Sequence, residues 1–242
     1  MNKDINFVNN PEQKFDSIEL IDVQKEAKMK SADQFLLSRE AKGLKYTISA
    51  RIIFALIFVP VVLVVAQSNF ELILTLGIVA LIIIMNLYFY QLVQQERKLN
   101  LVGYGGVAFD LFTLMMLQSY WYHSVGGVEV PAAFLIKTGS PVLGILYVII
   151  NSLAMRPAYP AIMTGGSVIL PLSLLPYVLY DSRTVLSNDL REVLLGQAVS
   201  LELFLTFMTI IFVSGLFLTF INYAARNTVY EAVNLERSTG RV

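Results

Sequence analysis

Long apolar runs constrain this chain more than any other feature. Six of them follow one another, at about Thr47–Ala66, Phe70–Val93, Leu101–Tyr122, Ser140–Met155, Ala161–Tyr180 and Leu201–Tyr223. Most match the ~20 residues a helix needs to cross the ~30 Å hydrocarbon core of a bilayer; the fourth is the shortest, unless it starts earlier, near Ala132. Backbone amides in lipid must be satisfied within the segment, and no strand-period alternation is present, so the runs read as helices rather than a barrel. The expected fold class is therefore an all-α integral membrane protein with six transmembrane helices. With 56% hydrophobic and 15% charged residues, the 242-residue chain departs from soluble domains, which carry about 25% charged residues. A soluble enzyme and a nucleic-acid binder are excluded. The absence of cysteine and the single histidine, His123, argue against thiolate and histidine metal centres.

Orientation follows from the basic residues. With a cytoplasmic N-terminus, fifteen Lys and Arg fall inside, including Arg51, Arg97, Lys98, Arg156 and Arg226, against Lys137, Arg183 and Arg191 outside. Both termini are thus expected in the cytoplasm. Tyr120, Trp121, Tyr122, Tyr177 and Tyr180 fit an outer aromatic belt. Three parts are expected. Residues 1–46 form a cytoplasmic amphipathic helical segment, with a short first helix and a second one starting after the Ser31–Gln34 capping pattern. Residues 47–223 form the membrane domain, and 224–242 a cytoplasmic helical linker.

Asp110 is the one acid near the middle of a span, where a carboxylate is costly unless it is neutral, paired or facing water. It reads either as a ligand or signalling residue or as a polar clamp between helices. No basic residue falls at its depth in these spans, so a neutral, hydrogen-bonded partner is expected. Gly103, Gly105 and Gly106 precede it and suit close helix approach, within the bundle or at a dimer interface. Pro171 and Pro176 in the fifth span predict a kink or break near Pro171. No catalytic, phosphate-loop or metal motif is present, so no cofactor is expected in this chain.

Beyond the sixth span, residues 224–237 contain neither proline nor glycine, and Thr228, Ala232 and Leu235 share a helical face at spacings of four and three. Asp189 and Glu192 mark a helix start, so one continuous helix is expected from about Leu190 to Leu235, leaving the membrane towards an output domain beyond Val242.

Residues Arg51–Arg237 resemble the six-helix membrane anchor of bacterial class III adenylate/guanylate cyclases. The resemblance rests on Tyr104-Gly105-Gly106-Val107-Ala108-Phe109-Asp110, on the turn Ser152-Leu153-Ala154-Met155-Arg156-Pro157, and on the exit from Arg226 to Arg237. It implies a homodimerising, receptor-like anchor in a bacterial inner membrane. Arg226, Thr228, Ala232 and Leu235 would lie on a transducing helix leading to the chain's own C-terminal catalytic domain. ATP and Mg or Mn would be needed only in that domain. The partners expected are membrane lipid, a second copy and a small hydrophobic ligand. Two other readings are a sensor domain of a histidine kinase or diguanylate cyclase, and a small transporter.

Overall fold

A computed structural model describes residues 11–65, 69–95, 98–137, 140–196 and 198–238. Among them the chain is all-helical. Its elements are α1 (Pro11–Val65), α2 (Asn69–Gln94), α3 (Leu99–Ser124), α4 (Ser140–Ser152), α5 (Ala158–Tyr180), α6 (Leu190–Leu195) and α7 (Leu201–Ser238), with short 3-10 turns at Gly127–Glu129 and Ala132–Leu135. The only strand-like pairing among these residues is an isolated bridge between Leu186 and Val199. Five helices contain stretches long and apolar enough to cross a membrane: Asp33–Pro60, Glu71–Gln94, Leu99–Ser124, Ala158–Tyr180 and Leu201–Ala232. The chain divides into two compact units, one of Arg39–Arg226 and one of the residues up to Ser38 with those from Asn227 on.

Within the larger unit each helix buries a stripe at helical spacing. On α1 the stripe is Glu40, Leu44, Thr47, Ile48, Arg51 and Ala55; on α3 it is Val102, Gly103, Gly106, Val107, Asp110, Leu114, Leu117 and Gln118. Both stripes step by three and four residues, so each keeps to one face of its helix. Their other faces also carry exposed apolar residues, Ile53 and Ile57 on α1 and Phe112 and Met115 on α3, as do α2 with Ile73 and Ile84 and α7 with Val213, Phe217 and Phe220. An apolar surface of that extent suits a hydrocarbon solvent rather than water.

Four expectations are corrected. α1 is one helix through Ser31 rather than two, because Ser and Gln are tolerated inside a helix and nothing there removes a backbone bond. The fourth run forms a helix of only 13 residues: it does not reach back to Ala132, where the chain forms a 3-10 turn, and it ends at Ser152, ahead of the left-handed Met155. Of the kink or break expected near Pro171, the break does not occur, since α5 runs through Pro171 and Pro176 as one helix. The proposed helix from Leu190 to Leu235 is interrupted: α6 ends at Gly196, whose backbone is extended (φ −106°, ψ −161°), and α7 begins at Leu201. Val199 there accepts from Ser187 and donates to Val185, strand-like bonds that a helix could not make.

A buried polar cluster as candidate functional site

Arg51 occupies the buried stripe of α1. Thr47, one turn earlier, donates to Ile150 O at 3.1 Å, which sets the α1 turn against the end of α4. One turn further on, the Arg51 guanidinium meets Asp110 of α3. Nη2 lies 2.6 Å and Nε 3.1 Å from Asp110 Oδ2, and both side chains are 3% exposed. Asn151 of α4 closes the cluster: its Nδ2 donates to Asp110 Oδ2 at 2.6 Å, and its Oδ1 accepts from Arg51 Nη2 at 2.9 Å. Asn151 also donates to Tyr147 O, four residues back on its own helix, which fixes the amide's orientation. Three helices thus converge on one carboxylate oxygen.

Asp110 therefore has the expected neutral hydrogen-bonded partner, Asn151, and also a cationic one, Arg51, which corrects the expectation that no basic residue lies at its depth. Arg51 lies near the start of its apolar run, and a tally of span positions places it at the surface. In the fold, α3 and α4 meet α1 at that level, and the long guanidinium side chain reaches inward. Replacing water around two charges costs several kcal/mol per ion, so the pair persists only with further hydrogen bonds such as those of Asn151.

The glycines of α3 make room for this arrangement. A Cβ on Gly106 would stand 2.7 Å from Arg51 Nη1, and one on Gly103 would overlap the Tyr159 hydroxyl. Gly105 is different, since its Cβ would meet only Phe89, at 3.5 Å. Gly43, which sequence reasoning passed over, lies under the α4–α5 turn, and a Cβ there would be 2.7 Å from Ala154 Cα.

A second cluster sits at that turn. Arg156 donates to Glu40 at 3.0 Å and to Asn100, while the Tyr159 hydroxyl donates to the same Glu40 oxygen at 2.7 Å. The Arg156 guanidinium also lies 5.3 Å from the Tyr104 ring centroid, within cation–π range. Partial burial works against the Arg156 charge, and the Glu40 carboxylate more than offsets it, so its pKa stays above the ordinary arginine value. Met155, between the two clusters in sequence, adopts φ +55°, a left-handed conformation that non-glycine residues rarely take. From α7, Asn222 donates to Ser152 O at 2.9 Å, and Gly215 lets Thr164 of α5 come into contact. The turn Ser152–Pro157 is thus held by α1, α3, α5 and α7 together.

At the other end of the bundle, Asp181 accepts from Ala132 N at 2.8 Å and from Arg183, whose Nη1 donates to Val128 O. The Arg183 hydrogen bond first, then the backbone bonds, hold the Asp181 carboxyl well below the usual carboxylate range.

Pro171 is buried in α5 and Pro176 is exposed. On α7, Arg226 is half-buried, whereas Thr228, Ala232 and Leu235 are exposed. Asp110 is the only one of the sequence candidates at the centre of a polar cluster among the described residues; Arg51, Asn151, Glu40 and Tyr159 were not foreseen. Their signal was faint. Arg51 and Asn151 were legible only as polar residues inside or beside an apolar run. No group of three or more His, Cys, Asp or Glu side chains suited to a metal is found among the described residues.

Fold and cluster together define an all-helical, multi-pass membrane protein with a buried polar core. No family model, curated protein or solved structure matches the chain.

Proposed function

We propose that the chain is the membrane anchor and regulatory domain of a class III adenylate cyclase in a bacterial inner membrane. In this reading it dimerises and positions cytoplasmic catalytic domains, joined to α7, that convert ATP to cyclic AMP. The observation that carries the reading is α7 itself: its apolar stretch passes without interruption into the charged segment ending at Ser238. Its 38 residues are about 57 Å long at 1.5 Å per residue, well beyond a ~30 Å hydrocarbon core. A helix of that kind carries rotation or translation out of the bilayer. The Asn222–Ser152 bond links it to the turn that also carries Arg156 and abuts the Arg51–Asp110–Asn151 cluster. Two arrangements of the cluster, with a ligand favouring one, would supply the switch.

Six crossings with both ends in the cytoplasm complete the proposal. α4 at 13 residues is about 20 Å long, too short by itself. The 3-10 turn before it extends the crossing, and its Ala132 and Ala133 are fully buried. Irregular backbone at membrane depth is tolerated where protein covers it. With Arg51 in the interior and Lys137 within the extended crossing, fourteen basic residues remain inside and two outside, so the bias survives. The unbroken α5 counts against a transporter, whose sites are typically built on discontinuous helices.

Fusion of a class III catalytic domain after Arg237 tests the reading. The fusion is expected to dimerise and to make more cyclic AMP than the same domain lacking residues 1–223. Equal activity together with equal dimerisation would sink it. Productive coupling to a histidine-kinase or diguanylate-cyclase domain, with none to the cyclase, would shift the assignment to those outputs.

A further inference from the structure

At the end of the bundle opposite the Arg156 turn, α4, α6 and the start of α7 line a half-open pocket of about 290 Å³. Its walls are apolar, formed among others by Val142, Val193, Leu203, Phe204 and Phe207, and Lys137 stands in its lining. The Lys137 ammonium donates to Gly196 O at 2.8 Å and lies 5.4 Å from the Phe134 ring centroid. Neither contact carries a full negative charge. None of the residues lining the cavity is acidic, and no described carboxylate forms an ion pair with Lys137.

We propose that this cavity binds a single-chain anionic amphiphile, such as a medium-chain carboxylate, with its head group on Lys137 and its chain between α4 and α7. The anion supplies the charge that Lys137 lacks, through a charge-assisted hydrogen bond. The apolar walls match an alkyl chain. The volume lies at the small end of the ~300–1,000 Å³ typical of ligand pockets, which suits one short chain rather than a two-chain phospholipid. Leu203, Phe204 and Phe207 belong to the first two turns of α7, so an occupant touches the helix that leaves the other side of the bundle. Binding itself does not depend on the cyclase reading.

The test is equilibrium binding of radiolabelled decanoate to the full chain in phosphatidylcholine nanodiscs, with empty discs subtracted. A saturable component is expected, with decanol and decyltrimethylammonium competing weakly. Lys137→Met should weaken binding roughly tenfold or more, the scale of losing a hydrogen bond to a charged group, while Lys137→Arg keeps it. Val142→Trp, which places an indole in the cavity from an exposed position, should abolish it; helical circular dichroism and size-exclusion profiles verify that each variant is folded. Absence of saturable binding, equal binding by Lys137→Met, or equal competition by decanol would overturn the proposal. So would loss of decanoate binding when phosphatidylglycerol replaces phosphatidylcholine, because the occupant would then be a bilayer lipid.

Discussion

Arg51 and Asp110 are each tolerable in an apolar interior only because the other is there. Removing one member of a buried pair leaves an uncompensated charge, at a typical cost of about 3–5 kcal/mol, whereas replacing both by apolar residues of similar size is often neutral. Asp110→Leu and Arg51→Met should therefore each lower the unfolding temperature in detergent sharply, and the double variant should recover most of the loss. Asp110→Asn keeps a hydrogen-bond acceptor but strands the guanidinium, so it should fall between wild type and Asp110→Leu. If the double variant is as unstable as the sum of the singles, the two residues do not act as a pair. Met155 offers a test of opposite sign. The residue is 41% exposed and its φ is +55°, so Met155→Gly removes strain while losing little packing. A gain on the order of 1 kcal/mol in thermal or denaturant unfolding is expected. A loss would mean that the side chain, not the turn geometry, matters there.

Helices in this bundle approach closely where glycine allows it, and Gly43 of α1 and Gly105 and Gly106 of α3 are not equivalent. Gly106→Val must push on the Arg51 guanidinium and Gly43→Leu on the backbone of the α4–α5 turn, whereas a methyl group at Gly105 meets only ordinary contact. Gly105→Ala should be neutral or slightly stabilising, through helix propensity, while the other two should abolish the folded peak in size-exclusion chromatography. Equal tolerance of all three would contradict the packing. The loop tie at Asp181 predicts a pH dependence. Its folded pKa is depressed from the ordinary 3.8, so its contribution is complete above that value and is lost only as the pH falls further, towards the folded pKa. Between pH 7 and pH 5, hydrogen exchange at Ala132 and Arg183 amides should show no loss of protection attributable to Asp181. Asp181→Asn should reduce that protection at every pH in the range.

For the whole molecule, the interruption at Gly196–Ser200 decides which part of the chain can transmit movement. In a cyclase fusion, two glycines inserted after Tyr223 fall inside α7 and should uncouple any membrane signal while leaving insertion intact. The same insertion after Asn188 lies before α6 and should leave regulation unchanged. If both insertions behave alike, α7 is not the transmitting element. Six crossings also predict that a cysteine at position 156 is labelled only from the cytoplasmic side in intact cells, and one at position 183 only from outside.

Long apolar runs determined the helical class on their own, because a backbone in hydrocarbon has no partner but itself. They also made Asp110 conspicuous, since a lone acid stands out against such a background wherever it ends up in space. What the runs could not supply was depth and neighbourhood. Arg51 sits four residues from the apparent start of its span, a position that reads as surface; only the level at which α3 and α4 meet α1 makes it the partner of Asp110. The interruption before α7 was hidden for a related reason. Gly196 and the residues after it are compatible with helix locally, and the extended conformation is selected by the bonds Val199 makes to Val185 and Ser187, twelve residues or more away. Hydrophobicity is a property of each residue and survives in the sequence; the pairing of charges and the ending of helices depend on which groups tertiary packing brings within reach.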